Sequence, residues 1–233
     1  MPASLGEFMA LATAIVSLAA AVSYWLGFAR REVKGPVGVA VKTASTALLA
    51  LLVAGLGDSG WFWSIPLGLA LGALGDLCLA LGGVRAFLAG VGAFGLGHLA
   101  YALGLLVRSA DLGFDGLTLG EGLALVVLLA LLASTEFWLA PRTGELRSAV
   151  RGYVWLIGAM GMAAVLLPAY EGQGVLRLGA ALFVLSDLLL ALQLFVVRRA
   201  GLRVQLAMAL WPIYWAGQAL IGFGAVLFWS TKG

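Results

Sequence analysis

Eight apolar stretches, each long enough to cross a bilayer, constrain this chain more than any other feature. A spanning helix needs about 20 predominantly apolar residues. Runs of that kind occupy residues 5–29, 36–56, 63–82, 87–107, 119–140, 150–168, 174–197 and 203–229. Hydrocarbon offers no partner to a backbone N–H or C=O, so each run is expected to satisfy its own as a helix. The breaks between runs carry turn or charge signals, such as Arg30-Arg31-Glu32, Gly57-Asp58-Ser59-Gly60, Gly82-Gly83, Pro141-Arg142 and Arg198-Arg199. Only 11% of the 233 residues are charged, against about 25% in a soluble domain. The 33 glycines suit closely approaching helices. The expected fold is an all-α membrane protein, a bundle of eight transmembrane helices in one domain over residues 1–233. The first run lacks a basic leader and has only Glu7 near its start, so it reads as the first span and not as a cleaved signal peptide.

Charge placement sets an expected orientation. Connections after the odd-numbered runs hold Arg30, Arg31, Lys34, Arg85, Arg142, Arg147, Arg151, Arg198, Arg199 and Arg203, and Lys42 lies on the same side. The other side holds Arg108, Arg177 and Lys232, so the balance is 11 against 3. The positive-inside rule then places both termini outside a cell membrane that the chain crosses repeatedly. No basic arm points to nucleic acid. The single cysteine, Cys78, excludes an intramolecular disulfide and a cysteine-based metal cluster.

Two aspartates interrupt this apolar pattern in matching contexts. Asp76 opens Asp76-Leu77-Cys78-Leu79-Ala80-Leu81, and Asp187 opens Asp187-Leu188-Leu189-Leu190-Ala191-Leu192. A carboxylate at membrane depth costs roughly 2.5–3.5 kcal/mol on insertion scales. The motifs lie on the third and seventh runs, which point the same way. A parallel repeat of four plus four helices would carry both toward a shared interior. Other polar groups are expected at similar depth. They are Lys42, His98 with Tyr101 one turn on, Tyr153, Ser186, and Tyr214 with Gln218 one turn on. Each also has a plainer reading: Lys42 as a snorkelling headgroup contact, Tyr153 as part of an aromatic belt, the rest as interhelical hydrogen bonds.

The chemistry open to such a set is narrow. One histidine and one cysteine make protein-ligated haem or structural zinc poor fits. Two aspartates and one histidine could hold a divalent metal, but no HExxH spacing supports one, and no Gly-x-Ser-x-Gly elbow supports a serine lipase. Paired carboxyls remain: one holds a proton while its partner stays ionised, an arrangement that suits an acid and a base acting together. A proton-coupled transporter using the same aspartates is the rival reading, and a scaffold locked by them a third.

Gly75-Asp76, Phe87 with Phe94, Gly97-His98-Leu99-Ala100-Tyr101, Tyr153 with Met160, Gly179-Ala180 with Phe183 and Ser186-Asp187, and Tyr214 with Gln218 resemble the YhhN-like lysoplasmalogenase family. The resemblance runs from about residue 36 to 225. It implies an eight-helix intramembrane enzyme that needs no cofactor and hydrolyses the vinyl ether bond of lysoplasmalogens. The products are a fatty aldehyde and a glycerophospho-alcohol. It also implies Asp76 and Asp187 as the catalytic pair, and a lysophospholipid and the bilayer as partners. His98, Tyr101, Tyr214 and Gln218 would orient the carboxyls and water, and Lys42 would meet the headgroup phosphate. Asp187, nearer the bilayer middle, is expected to be the acid.

Overall fold

The computed structural model describes residues 5–31, 35–57, 60–113 and 116–230. Of the charged and turn residues used above, Glu32, Lys34, Asp58, Ser59 and Lys232 lie outside them. The described residues form helices α1 (Leu5–Gly27), α2 (Gly35–Leu56), α3 (Ser64–Leu81), α4 (Val84–Leu112), α5 (Leu119–Trp138), α6 (Arg147–Val165), α7 (Gln173–Ala191) and α8 (Ala200–Ser230), with no strand among them. Eight segments built on these helices are long and apolar enough to cross a membrane. The expected all-α architecture therefore stands.

Particular residues set the helix ends. Gly82 and Gly83 have φ of +75° and +84° with ψ of 170° and 159°, a region open essentially only to glycine. They turn the chain so tightly that α4 starts at Val84, three residues before the expected 87. At its far end α4 runs through Arg108 and Ser109 and stops only at Gly113. The Ser109 hydroxyl donates to the Leu166 carbonyl, so these polar residues are absorbed without breaking the helix. Thr118 caps α5: its hydroxyl accepts from the Glu121 backbone, while the Glu121 carboxylate accepts from the Thr118 N–H. After Ala191 the chain widens into a π turn, Leu192–Val196, closed by the Val197 N–H on the Leu192 carbonyl.

Hairpin partners α3–α4 and α7–α8 make the most extensive packing, and α2 packs on α3, α4 on α6, and α8 on α2. These neighbours are the ones that a four-plus-four plan would pair: α3–α4 with α7–α8, α2–α3 with α6–α7, and α2–α8 with α6–α4. One correspondence is missing. α1 packs against both α2 and α8, whereas α5 leans mainly on α6 and has no comparable packing on α4.

Pro212 shows how the α1–α8 contact is made. Inside α8 it has no N–H to give to the Met208 carbonyl one turn earlier. The Trp25 indole of α1 donates to that carbonyl instead, at 2.9 Å. The Trp211 indole returns a bond to the Ala21 carbonyl, also at 2.9 Å, and its ring lies 4.3 Å from that of Tyr24.

Candidate active site

The stretch of α3 before Asp76 presents Gly68, Gly72 and Gly75. A Cβ at Gly68 would strike the Tyr101 ring, one at Gly72 the Gln218 amide, and one at Gly75 the Phe94 ring. The glycines therefore leave the space that three site side chains from α4 and α8 fill. α7 and α8 approach closely for the same reason: a Cβ at Gly179 would lie 2.7 Å from the Ile221 nitrogen.

Asp76 is 1% exposed and fully engaged. Its Oδ1 lies 3.0 Å from the Lys42 ammonium. Its Oδ2 accepts from the Thr46 hydroxyl and the Tyr214 phenol, each at 2.9 Å. Three donors, one of them charged, describe an ionised carboxylate. Lys42 thus reaches inward from α2, with its ammonium 5.6 Å from the Trp211 ring centre. The network continues through α8: the Gln218 amide donates to the Tyr214 oxygen at 3.2 Å and accepts from the Tyr101 phenol at 2.6 Å.

Asp187 stands in a second cluster. The Tyr153 phenol of α6 donates to its Oδ2 at 2.6 Å, and His98 Nε2 of α4 lies 3.5 Å from the same oxygen. His98 Nδ1 is 2.6 Å from the Phe94 carbonyl. A carbonyl only accepts, so Nδ1 carries the hydrogen; this tautomer follows from the bonding pattern. Nε2 is buried and lacks a hydrogen bond. If Nε2 were bare and Asp187 ionised, two lone pairs would face each other. A proton on the nitrogen or on the carboxyl would let the two groups bond.

The sequence expectation brings all nine candidate residues to the bundle interior, and the structure sorts them into two groups. Asp76, Lys42, Tyr214, Gln218 and Tyr101 form one, Asp187, His98 and Tyr153 the other. No hydrogen bond or ion pair joins the two carboxylates among the described residues. Phe94 and Phe183 lie between the groups: Phe183 is 4.5 Å from the His98 ring and 5.4 Å from that of Tyr214, and Phe94 is 5.9 Å from Tyr214. Ser186 donates back to the Phe183 carbonyl of its own helix, away from either carboxylate's hydrogen bonds. Thr46, one turn after Lys42 on α2, is a member the sequence reading did not include; its position four residues after Lys42 was the available signal. No three His, Cys, Asp or Glu side chains converge as a metal site among the described residues.

The groups share a plan. Tyr153 precedes Asp187 by 34 residues, and Lys42 precedes Asp76 by the same number. They differ in access. Asp187 and Tyr153 line an apolar slot of about 790 Å³ including its open side, and Asp76 does not. Its walls are Phe87, Val91 and Phe94 of α4, Leu131, Thr135 and Trp138 of α5, and Leu194 and Phe195 of the π turn. The slot lies where α5 stands away from α4.

A family model described as the YhhN family matches residues 37–225. No curated protein and no solved structure matches the chain. The matched span covers α3 to α7 entirely and nearly all of α2 and α8, and with it every residue of both polar groups: the chain belongs to the YhhN family.

Proposed function

We propose that this protein is an intramembrane hydrolase that cleaves the vinyl ether bond of a lysoplasmalogen, with Asp187 and His98 as its acid–base pair. Its family membership is consistent with that activity. The observation that carries the reading is a carboxyl group, bonded to a phenol and facing a buried imidazole, on the wall of an apolar slot.

The chemistry needs one proton that can leave and return. The proton held by the His98–Asp187 pair goes to the β-carbon of the vinyl ether, and the C=C electrons form the new C–H bond. The ether oxygen stabilises the resulting oxocarbenium ion, and the carboxylate left behind faces its positive charge, as in glycoside hydrolysis. Water adds to the cationic carbon and gives its proton to the pair. The hemiacetal then collapses to fatty aldehyde and glycerophospho-alcohol. Tyr153 holds Asp187 in place through this cycle.

Asp76 is essential in a different way. As a fixed anion it neutralises Lys42 and orients Tyr214, and through Gln218 it fixes Tyr101, one turn from His98 on α4. Lys42 is engaged by Asp76, so the headgroup phosphate is assigned to Arg198 and Arg199, which follow the π turn at the slot's end of α7. The excess of basic residues at that end supports a cytoplasmic position for it, with both termini outside and the slot in the inner leaflet.

The test is turnover of lysoplasmenyl-ethanolamine by purified protein in D2O. The expected product is free aldehyde carrying one deuterium on the carbon next to the carbonyl. Asp187→Asn and His98→Gln should fold and give none. Absence of aldehyde from folded wild-type protein, with both ethanolamine and choline headgroups, would overturn the reading.

A further inference from the structure

The slot is half of a longer feature. On the other side of Leu131 and Val184 a second cavity, of about 1090 Å³ including its open side, continues between α5 and α7 over a floor of α6. Leu131 and Val184 line both cavities, so the two meet end to end at these side chains and are together called the groove. Its second half is cut from small residues: Ala124 on α5, Gly161 and Ala164 on α6, Ala180 and Ala181 on α7. Its far end is closed by an ion pair. Arg177 binds the Glu121 carboxylate at 2.5 Å and also donates to the Ala164, Val165 and Leu167 carbonyls at the end of α6. From Asp187 to Arg177 is ten residues of α7, a rise of about 15 Å.

We propose that this groove is the subsite for the single hydrocarbon chain of the lysolipid, with its reactive end at Asp187 and its methyl end against the Glu121–Arg177 pair. The identity of the lipid rests on the hydrolase reading. The presence of one straight chain rests on the groove itself. Three observations point to this occupant over loose bilayer lipid. The groove's two halves meet at Leu131 and Val184, next to the Asp187 slot. It runs between α5 and α7, which do not pack closely on each other, over a floor of α6. It ends at a fixed polar stop, where an alkyl chain must terminate. Chain length is then a specificity set by the protein.

Two experiments decide it. The first uses a saturated-ether lysophosphoethanolamine, which the vinyl ether chemistry cannot cleave, carrying a diazirine at its methyl end. Photolysis in phosphatidylcholine nanodiscs should label Ala124, Val127 or Ala181, and unlabelled ether lipid should compete the label away. A diazirine near the glycerol should label Thr135 or Phe195 instead. Uncompeted label spread over lipid-facing helices, α1 included, would mean bulk lipid only and would overturn the proposal. The second is turnover of long- and short-chain lysoplasmalogens by Ala181→Phe and by Leu51→Phe, a lipid-facing control on α2. Ala181 and Leu51 are both exposed, so both variants should fold. Ala181→Phe should shift preference toward the short chain by about tenfold or more, and the control should not. Unchanged preference with intact hydrolysis would sink the groove and leave the hydrolase standing. Localised, competed label without any hydrolysis would support the groove and sink the hydrolase.

Discussion

Asp76 and Lys42 hold opposite charges 3.0 Å apart, with only 2% and 13% of their side chains exposed. Removing one partner of such a pair leaves the other as a buried, uncompensated charge, which costs about 3–5 kcal/mol. Asp76→Asn should therefore lower the melting temperature as well as turnover. Replacing both, Lys42→Met with Asp76→Leu, should recover most of the stability, because apolar substitutes of similar volume are often neutral. Turnover should stay lost, since Tyr214 has lost its acceptor. Recovered turnover in the double variant would reduce Asp76 to a structural residue. The members of this site were largely legible in the sequence, because a polar side chain in an apolar run announces itself. Their pairing was not. Which of Lys42, His98 and Tyr153 meets which carboxylate depends on helix neighbours that no local pattern encodes. Thr46 passed unnoticed because a hydroxyl in a membrane helix usually bonds to its own backbone, as Ser45 does to the Lys42 carbonyl.

Elements were legible to within a few residues, since each apolar run has the length a bilayer demands. The departures have local causes: paired glycines that start α4 early, and a π turn that carries α7 past Ala191. Such turns recur at functional sites, and this one sets Leu194 and Phe195 into the slot. Gly75→Val tests α3 as the template for the site. A branched side chain there would drive into the Phe94 ring, whose backbone carbonyl holds His98. Overpacking of this kind costs typically 1–3 kcal/mol, and turnover should fall along with thermal stability. Unchanged turnover would show that Phe94 does not position the histidine.

Across the whole molecule, the two halves repeat their helix neighbours and the 34-residue spacing of each aspartate from its partner, then diverge at one contact. α1 is fastened to α8 by indole bonds, while α5 is left off α4. Trp25→Phe should therefore be costly although an aromatic ring remains, because the carbonyl freed by Pro212 would lose its donor, at about 1–3 kcal/mol. Differential scanning of the purified variant checks this; an unchanged melting temperature would mean water replaces the indole. The slot itself was illegible in the sequence, because it arises from a contact that α5 does not make. This uneven fastening has an evolutionary consequence. The sealed half carries the packing that keeps the molecule folded. The outlying helix carries residues whose size decides what the open half admits. Substitutions on α5 can then accumulate with little risk to folding, so new lipid preferences are within short mutational reach while the reacting groups stay as they are.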